Sequence, residues 1–585
     1  MKKENVESIY PLSPMQEGML FHSIDNQESK VYVVVAHFSL HGTLDISAFK
    51  RAWQLLLNRH PVLRTFFLWK NRATPLQIVH RGVELPWQEH DWRHISTSEQ
   101  TDLLKSFLKT DREKGFNLSK VPLMRLTLVR MTPNDYHFIF TQHHMLLDGW
   151  SLALLLKEVF AVYRAIRSGE KISFEERQPY KAYITWLKQQ DLSEAELYWR
   201  KTLQGFTEPT PIRIDEESGN TQRLIEVYDE QQLRLSKTMT VGLQSLAQQN
   251  QITLNTLLQG VWALLLSRYS GETDVMFGTI ASGRSIAMPG VESMIGLLIN
   301  ALPVRVQVPP KNMLIPWLKE LQRQQVQSRK FEHSSLRNIQ ALSELVRSRG
   351  QSLFESILVF GNYPLNDAMT DIDKDLEIGN MHFLEGSNYP LSILIDPGED
   401  LTIRIVYKTH RFSDTIIYQI LEHIQTLLES ILTNPDQSLS AFSLLRAAEY
   451  QQLVVDFNQT DVPAPTDKTV VQLFEEQVAK TPDAVALRFD GNTLTYSQLN
   501  QKANQLAHFL IKHGLSRENI VAICLDRSPE AIIAIWGILK AGAGYMPVDA
   551  MLPEERITLM LTETAAPVVL TMKRFITNLP ESGAK

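Results

Sequence analysis

Residues 450–468 read Tyr450-Gln-Gln-Leu-Val-Val-Asp-Phe-Asn-Gln-Thr-Asp-Val-Pro-Ala-Pro-Thr-Asp-Lys468, a stretch that turns polar and proline-punctuated, as linkers do. The sequence follows different rules on its two sides, so no single sheet or bundle can run through the whole chain. Beyond it, the pattern is a regular alternation. Thr469 can cap a helix carrying Val470, Leu473, Phe474 and Val478, and a strand Ala484–Phe489 turns at Asp490-Gly491-Asn492 into a short return strand. A helix Tyr496–Lys512 stops at Gly514, and a strand Ile520–Leu525 leads through Ser528-Pro529 into a helix ending at Lys540. A further strand, a helix Pro553–Glu563 and a strand Val568–Thr571 complete the series. Strands alternating with helices predict a parallel α/β sheet.

Before the linker, helices and strands mix with long irregular segments. Asp45 can cap a helix Ile46–Arg59 whose stripe is Phe49, Trp53, Leu56 and Leu57, with a strand Leu63–Trp69 after it. Tyr136–Gln142 is a strong strand, broken at Asp148-Gly149 before an apolar helix from Ser151 to about Arg167. Thr253 can cap Leu254–Arg268, with Asp274–Ile280 as the following strand. Ala52-Trp53-Gln-Leu-Leu-Leu-Asn-Arg-His60 echoes Val261-Trp262-Ala-Leu-Leu-Leu-Ser-Arg-Tyr269, each a helix end leading into a strand. Either two Trp-plus-Leu helices coincide or a lobe is duplicated; the echo alone leaves both open.

Composition narrows the function classes. The 585 residues allow about three to five domains. A single cysteine, Cys524, excludes an internal disulfide framework and any multi-cysteine metal site. Net charge is −6, so no global basic field argues for nucleic acid or an anionic membrane. The start lacks the apolar core of a signal peptide, and no run reaches the roughly 18 uncharged apolar residues of a membrane span. The expectation is a soluble, cytoplasmic, multidomain protein.

The sharpest local feature is Gln142-His143-His144-Met145-Leu146-Leu147-Asp148-Gly149-Trp150-Ser151. If the strand persists, His144 shares a face with Phe140 and Gln142 while His143 points the other way, so the two histidines cannot serve one site. A metal would need further ligands at suitable spacing. Two packed histidines before an Asp-Gly turn is the bland reading. Acid–base or positioning chemistry by one of them is the third, because an imidazole titrates near neutral pH. Trp150, Trp53 and Trp262 read as core, and His60 as packing at a helix end; His22 fits either core or cleft.

His143-His144-x-x-x-Asp148-Gly149 resembles the signature of nonribosomal peptide synthetase condensation domains, and other segments agree in family order. Tyr10-Pro-Leu-Ser-Pro-Met-Gln-Glu-Gly-Met-Leu-Phe-His-Ser23, Arg59-His-Pro-Val-Leu-Arg-Thr-Phe66, Tyr180-Lys-Ala-Tyr-Ile-Thr-Trp186 and Ile295-Gly-Leu-Leu-Ile-Asn-Ala-Leu-Pro-Val-Arg305 resemble the first, second, fourth and fifth family motifs. Phe354–Pro364 and Ser387-Asn-Tyr-Pro390 also have family counterparts. Leu494-Thr-Tyr-Ser-Gln-Leu499 and Leu539-Lys-Ala-Gly-Ala-Gly-Tyr-Met-Pro-Val-Asp549 resemble the first two motifs of adenylation domains. The phosphate loop and later adenylation motifs do not occur, so this part is expected to be incomplete and inactive.

The resemblance implies an α/β fold: a two-lobed, V-shaped pseudo-dimer like chloramphenicol acetyltransferase, plus a truncated adenylation subdomain. The expected divisions are a docking segment 1–9, an N-lobe 10–180, a C-lobe 181–449, a linker 450–468 and the partial adenylation subdomain 469–585. It implies amide-bond formation between two thioesters held on phosphopantetheine arms of carrier proteins, without a bound cofactor or metal. His144 would take the amine's proton or orient its lone pair, with His143 beside it. The Gly149 N–H would face the oxyanion, and Asp148 would be structural, paired with Arg284 of Ala281-Ser-Gly-Arg-Ser285. An epimerisation domain would carry a further signature that is not found, and a heterocyclisation domain would replace the histidines with aspartate. A catalytically silent recruitment platform of the same fold remains the different-class alternative. The expected partners are an upstream donor carrier on another subunit, met through Met1–Ser8 with its Lys2, Lys3, Glu4 and Glu7, a downstream acceptor carrier, and the rest of the adenylation domain. The Ser13-Pro-Met-Gln-Glu-Gly-Met-Leu-Phe-His22 form of the first motif resembles domains that take a donor ending in a D-residue.

Overall fold

The computed structural model describes residues 5–25, 30–212, 227–344, 352–363, 375–379, 381–463, 465–580 and 584–585. It divides into two compact units, Met1–Val454 and Val455–Lys585.

The first unit holds two large sheets. In the N-lobe sheet the strand order is Leu376–Ile378, Val33–Gly42, Asp135–His143, Met124–Arg130, Trp87–Asp91, with His382–Leu384 also on Val33–Gly42. Period-two alternation sends Tyr136, Phe138 and Phe140 inward. The helix Ile46–Arg59 covers them, started by Asp45, whose side chain accepts the Ala48 N–H at 2.9 Å. Trp53 stacks on Phe138 and Phe140 with ring centroids 5.6 and 5.5 Å away, an aromatic stack at the centre of the lobe's core.

The C-lobe sheet runs Asn300–Gln307, Asp274–Ala281, Ser356–Phe360, Leu391–Asp396, Thr402–Lys408, Tyr228–Arg234. Leu254–Ser270 packs on it, and its Trp262 is buried with the indole N–H on the Ser356 hydroxyl at 3.2 Å. The two echoing helices thus fill corresponding places, but the chain diverges after them. Asp274–Ala281 enters the main sheet, whereas Pro61–Arg64 forms a 3₁₀ turn and Thr65–Leu68 joins a small sheet with Leu76–His80 and Val6–Pro11.

Two expected boundaries need correction. The strand Val6–Pro11 pairs with Leu76–His80, and Glu7 binds Arg64 at 2.6 Å, so these residues belong to the N-lobe body rather than to a free leader. Residues 1–4, which contain Lys2, Lys3 and Glu4, lie outside the described residues. The lobes are also not contiguous in sequence. Leu376–Ile378 and His382–Leu384 leave the C-lobe half and complete the N-lobe sheet, antiparallel to Val33–Gly42.

That crossing brings three imidazoles together. His382 stacks on His37 at 5.4 Å, and His37 Nδ1 lies 2.9 Å from His137 Nε2. Burial, then His382, holds His37 down to about 4. Burial, then His37 and His382, holds His137 down to about 3. Both folded values lie below the unfolded one, so the neutral forms favour folding. That contribution is complete above about pH 6.5 and is lost as pH falls toward 4, where the unfolded chain binds protons the folded one refuses. The urea midpoint of the first unit should therefore drop steadily from pH 7 to pH 5, and His137→Phe should flatten that slope; an unchanged slope would refute it.

In the second unit, the strand Ile520–Cys524 lies parallel to both Gly544–Pro547 and Val568–Thr571, with the helices Tyr496–Lys512, Pro529–Lys540 and Glu554–Thr564 in the expected alternation. The Asp490-Gly491 turn has φ +45° and +78°, the pair of positive values a two-residue hairpin needs. No helix among the described residues is long and apolar enough to cross a membrane.

Candidate active site

The strand Asp135–His143 ends at the first histidine, so alternation does not decide where the second one points. His143 is the last paired residue, opposite Val33, and is buried. Its Nδ1 accepts the Met145 N–H at 3.3 Å, closing the turn. Burial, then neighbouring His144, holds its pKa down to about 3, so it stays neutral at any working pH. His144 begins the turn, half-buried, with its N–H on the Tyr32 carbonyl at 2.8 Å. Its Nδ1 lies 2.9 Å from the Leu147 carbonyl oxygen. A carbonyl only accepts, so Nδ1 carries the proton and Nε2 of the neutral ring keeps its lone pair. The two histidines therefore diverge: one locks the turn and the other presents a basic nitrogen.

Asp148 caps the helix Gly149–Ser168 and is 1% exposed. It accepts from Arg284 Nη1 at 3.0 Å and Nη2 at 3.1 Å, from the Ser151 N–H at 2.8 Å and from the Leu298 N–H at 2.9 Å. Burial alone would raise its pKa, but the Arg284 charge and these hydrogen bonds outweigh it and hold the carboxyl below the usual range. Arg284 also donates to the Ser151 hydroxyl at 2.8 Å, which bonds the Gly296 carbonyl at 2.7 Å. Residues of the Ile295–Arg305 motif thus clasp the start of the helix. Gly283, at φ +66°, is required where its turn passes Leu298, whose carbonyl oxygen an added Cβ would meet at 1.9 Å.

Trp150 is not core. It is half-buried, its indole N–H donates to the Glu292 carbonyl at 3.1 Å, and Arg284 lies over its ring at 5.6 Å. Gly149 opens the helix, where first-turn N–H groups have no partner within the helix. The Tyr363 ring, from the Phe354–Pro364 motif, packs so close that a Cβ on Gly149 would lie 2.6 Å from it. Pro364 lies outside the described residues.

Other motif residues brace this centre from behind, a role their sequence did not reveal. Gln16, fully buried, donates to the Met145 carbonyl at 2.9 Å and accepts from Gln77 at 2.9 Å. His60, buried, bonds Glu158 at 2.5 Å beside Arg59 at 3.2 Å. Tyr180 donates to the Leu297 carbonyl at 2.7 Å. His22 is exposed on the helix Pro14–Asp25 and faces Asn388. Among the described residues, no group of three or more His, Cys, Asp or Glu is disposed to hold a metal ion.

Comparison with known proteins covers nearly the whole chain. A family model described as "Condensation domain" matches residues 6–454, and one described as "AMP-binding enzyme" matches 474–584. The chain is similar to a linear gramicidin synthase of Brevibacillus parabrevis, 42% identical over 99% of this chain and 8% of that protein. It is 35% identical to a surfactin synthase of Bacillus subtilis over 99% of this chain and 45% of that one. The chain thus spans less than half of these relatives' length. A solved four-domain nonribosomal peptide synthetase bound to AMP and glycine shares its fold at TM-score 0.67 and 21% identity, covering 99% of this chain and 44% of that one. The first condensation domain of a calcium-dependent antibiotic synthetase, solved with a substrate analogue, matches at TM-score 0.64 and 17% identity, covering 75% of this chain and all of that one.

Proposed function

Because the chain belongs to the condensation-domain family of nonribosomal peptide synthetases, with part of an AMP-binding enzyme domain behind it, we propose that it joins a donor aminoacyl or peptidyl thioester to the amine of an acceptor aminoacyl thioester. Both substrates arrive on phosphopantetheine arms of carrier proteins. The observation that carries the reading is the state of His144. Its Nδ1–H is spent on the Leu147 carbonyl, leaving Nε2 to meet a proton donor. The acceptor amine attacks the donor carbonyl, the carbon–nitrogen bond forms, and the carbonyl oxygen becomes an oxyanion. His144 Nε2 takes the amine proton or holds its lone pair in line, help worth about 10²–10⁴-fold. The Gly149 N–H, at the positive end of its helix, faces the oxyanion. Collapse expels the donor's thiolate, which leaves with the proton. A thioester is already activated, so the step consumes no ATP. The Val455–Lys585 unit performs no adenylation by itself in this reading.

The first-motif form Ser13–His22 further supports a donor ending in a D-residue. With one carrier loaded with acceptor and another with either donor enantiomer, amide formation should be faster from the D-donor. Equal or faster turnover of the L-donor sinks the stereochemical part, and no amide from either donor leaves the silent-platform reading.

A further inference from the structure

The His144 turn is held by the C-lobe at both ends. At its far end is the Asp148–Arg284 pair. At its near end lies Tyr32, the residue before the strand Val33–Gly42: Val33 pairs with His143, and the Tyr32 carbonyl takes the His144 N–H at 2.8 Å as the last rung of that ladder. The Tyr32 hydroxyl donates to Asn388 Oδ1 at 3.1 Å, and Asn388 Nδ2 lies 3.4 Å from His22 Nε2 at the end of the first-motif helix.

Asn388 sits where the chain crosses between lobes. Just before it, His382–Leu384 pairs with His37, Ala36 and Val35 of the N-lobe sheet; just after it, Leu391–Asp396 enters the C-lobe sheet. It is anchored on the C-lobe side, since Tyr389 stacks on buried Phe354 at 5.2 Å and the Pro390 carbonyl accepts the Lys408 N–H at 3.0 Å. A shift of one lobe against the other must strain residues 385–390, and a polar contact able to pass such strain to the histidine turn is Asn388 to Tyr32. We infer that Asn388 is a positioning residue: through Tyr32 it sets the placement of His144, so that the arrangement of the lobes controls the rate of bond formation. The inference rests on the condensation reading and adds to it a coupling between the lobes and the histidine turn.

The test uses the full chain with pre-loaded donor and acceptor carriers, measuring the single-turnover rate, the half-saturating acceptor-carrier concentration and the melting temperature. Asn388→Leu keeps the side chain's size and removes its hydrogen bonds. The single-turnover rate should fall about tenfold, with half-saturation unchanged, because a small misplacement of a reacting group costs rate rather than binding. The melting temperature should stay within about 2 °C. Asn388→Asp, which keeps the acceptor for the Tyr32 hydroxyl, should restore the rate to within about twofold. Tyr32→Phe should match Asn388→Leu, and the double variant should be no slower than either single one, as residues acting through one contact behave. Wild-type rate in Asn388→Leu, multiplying losses in the double variant, or a rate loss that follows melting temperature would each overturn the inference. A wild-type chain that forms no amide would overturn the condensation reading itself, and this inference with it.

Discussion

His144→Ala should abolish amide formation while leaving the fold almost untouched. The side chain is half-buried and outside the hydrophobic clusters, and its ring hydrogen-bonds the Leu147 carbonyl, a contact whose loss costs about 1 kcal/mol. Its removal takes away the basic Nε2, and the single-turnover rate should fall by at least about 10²-fold. His143→Ala should do the opposite. That ring is 5% exposed, caps the Met145 N–H and packs beside Tyr32 at 6.3 Å, so the variant should lose melting temperature or solubility first. Near-UV circular dichroism and thermal melts beside the two-carrier assay separate the cases. A folded, inactive His143→Ala with an active His144→Ala would exchange the roles of the two histidines.

What the sequence made legible was local. Asp45, Thr253, Thr469 and Ser528 each cap the helix expected of them, because a cap and its N–H lie within three residues of chain. Strand faces were legible while the strands lasted. The facing of His144 was not, because the ladder ends at His143 and a turn, not the pleat, aims the next side chain. Trp150 looked apolar enough for the core, yet the buried stripe of its helix runs through Leu152, Leu155, Leu156, Val159 and Phe160, and Trp150 lies off it. Arg284 lies 136 residues from Asp148, and nothing local marks the pair; only the family resemblance nominated it. Strands of three residues, such as Leu376–Ile378 and His382–Leu384, are too short to show alternation, and their partner lies in the other half of the domain. Gln16 and Gln77 were missed for the same reason, since a buried amide matters only once its distant carbonyl is known.

The Asp148–Arg284 pair carries the largest expected effect on stability. The side chains are 0% and 4% exposed, so removing either partner strands a charge with little water to take it. Asp148→Ala would also leave the Ser151 and Leu298 N–H groups without their carboxylate acceptor, unpin the start of Gly149–Ser168 and release the C-lobe clasp on it. The expected loss is about 3–5 kcal/mol, read from urea unfolding of the first unit. Because the folded carboxyl is held below the ordinary range, the stabilisation it supplies is complete above about pH 4 and disappears as pH falls through the folded value. Asp148→Ala should therefore lower the plateau at neutral pH and flatten the acid limb. Arg284→Met alone should cost a similar amount, but Asp148→Ala combined with Arg284→Met should cost less than the two losses added, since no buried charge remains. Activity should fail to return in the double variant, because the turn that aims His144 would still lack its far anchor. If Asp148→Ala instead keeps full stability and loses only activity, the carboxylate belongs to the chemistry, and the assignment of Asp148 to the scaffold is wrong.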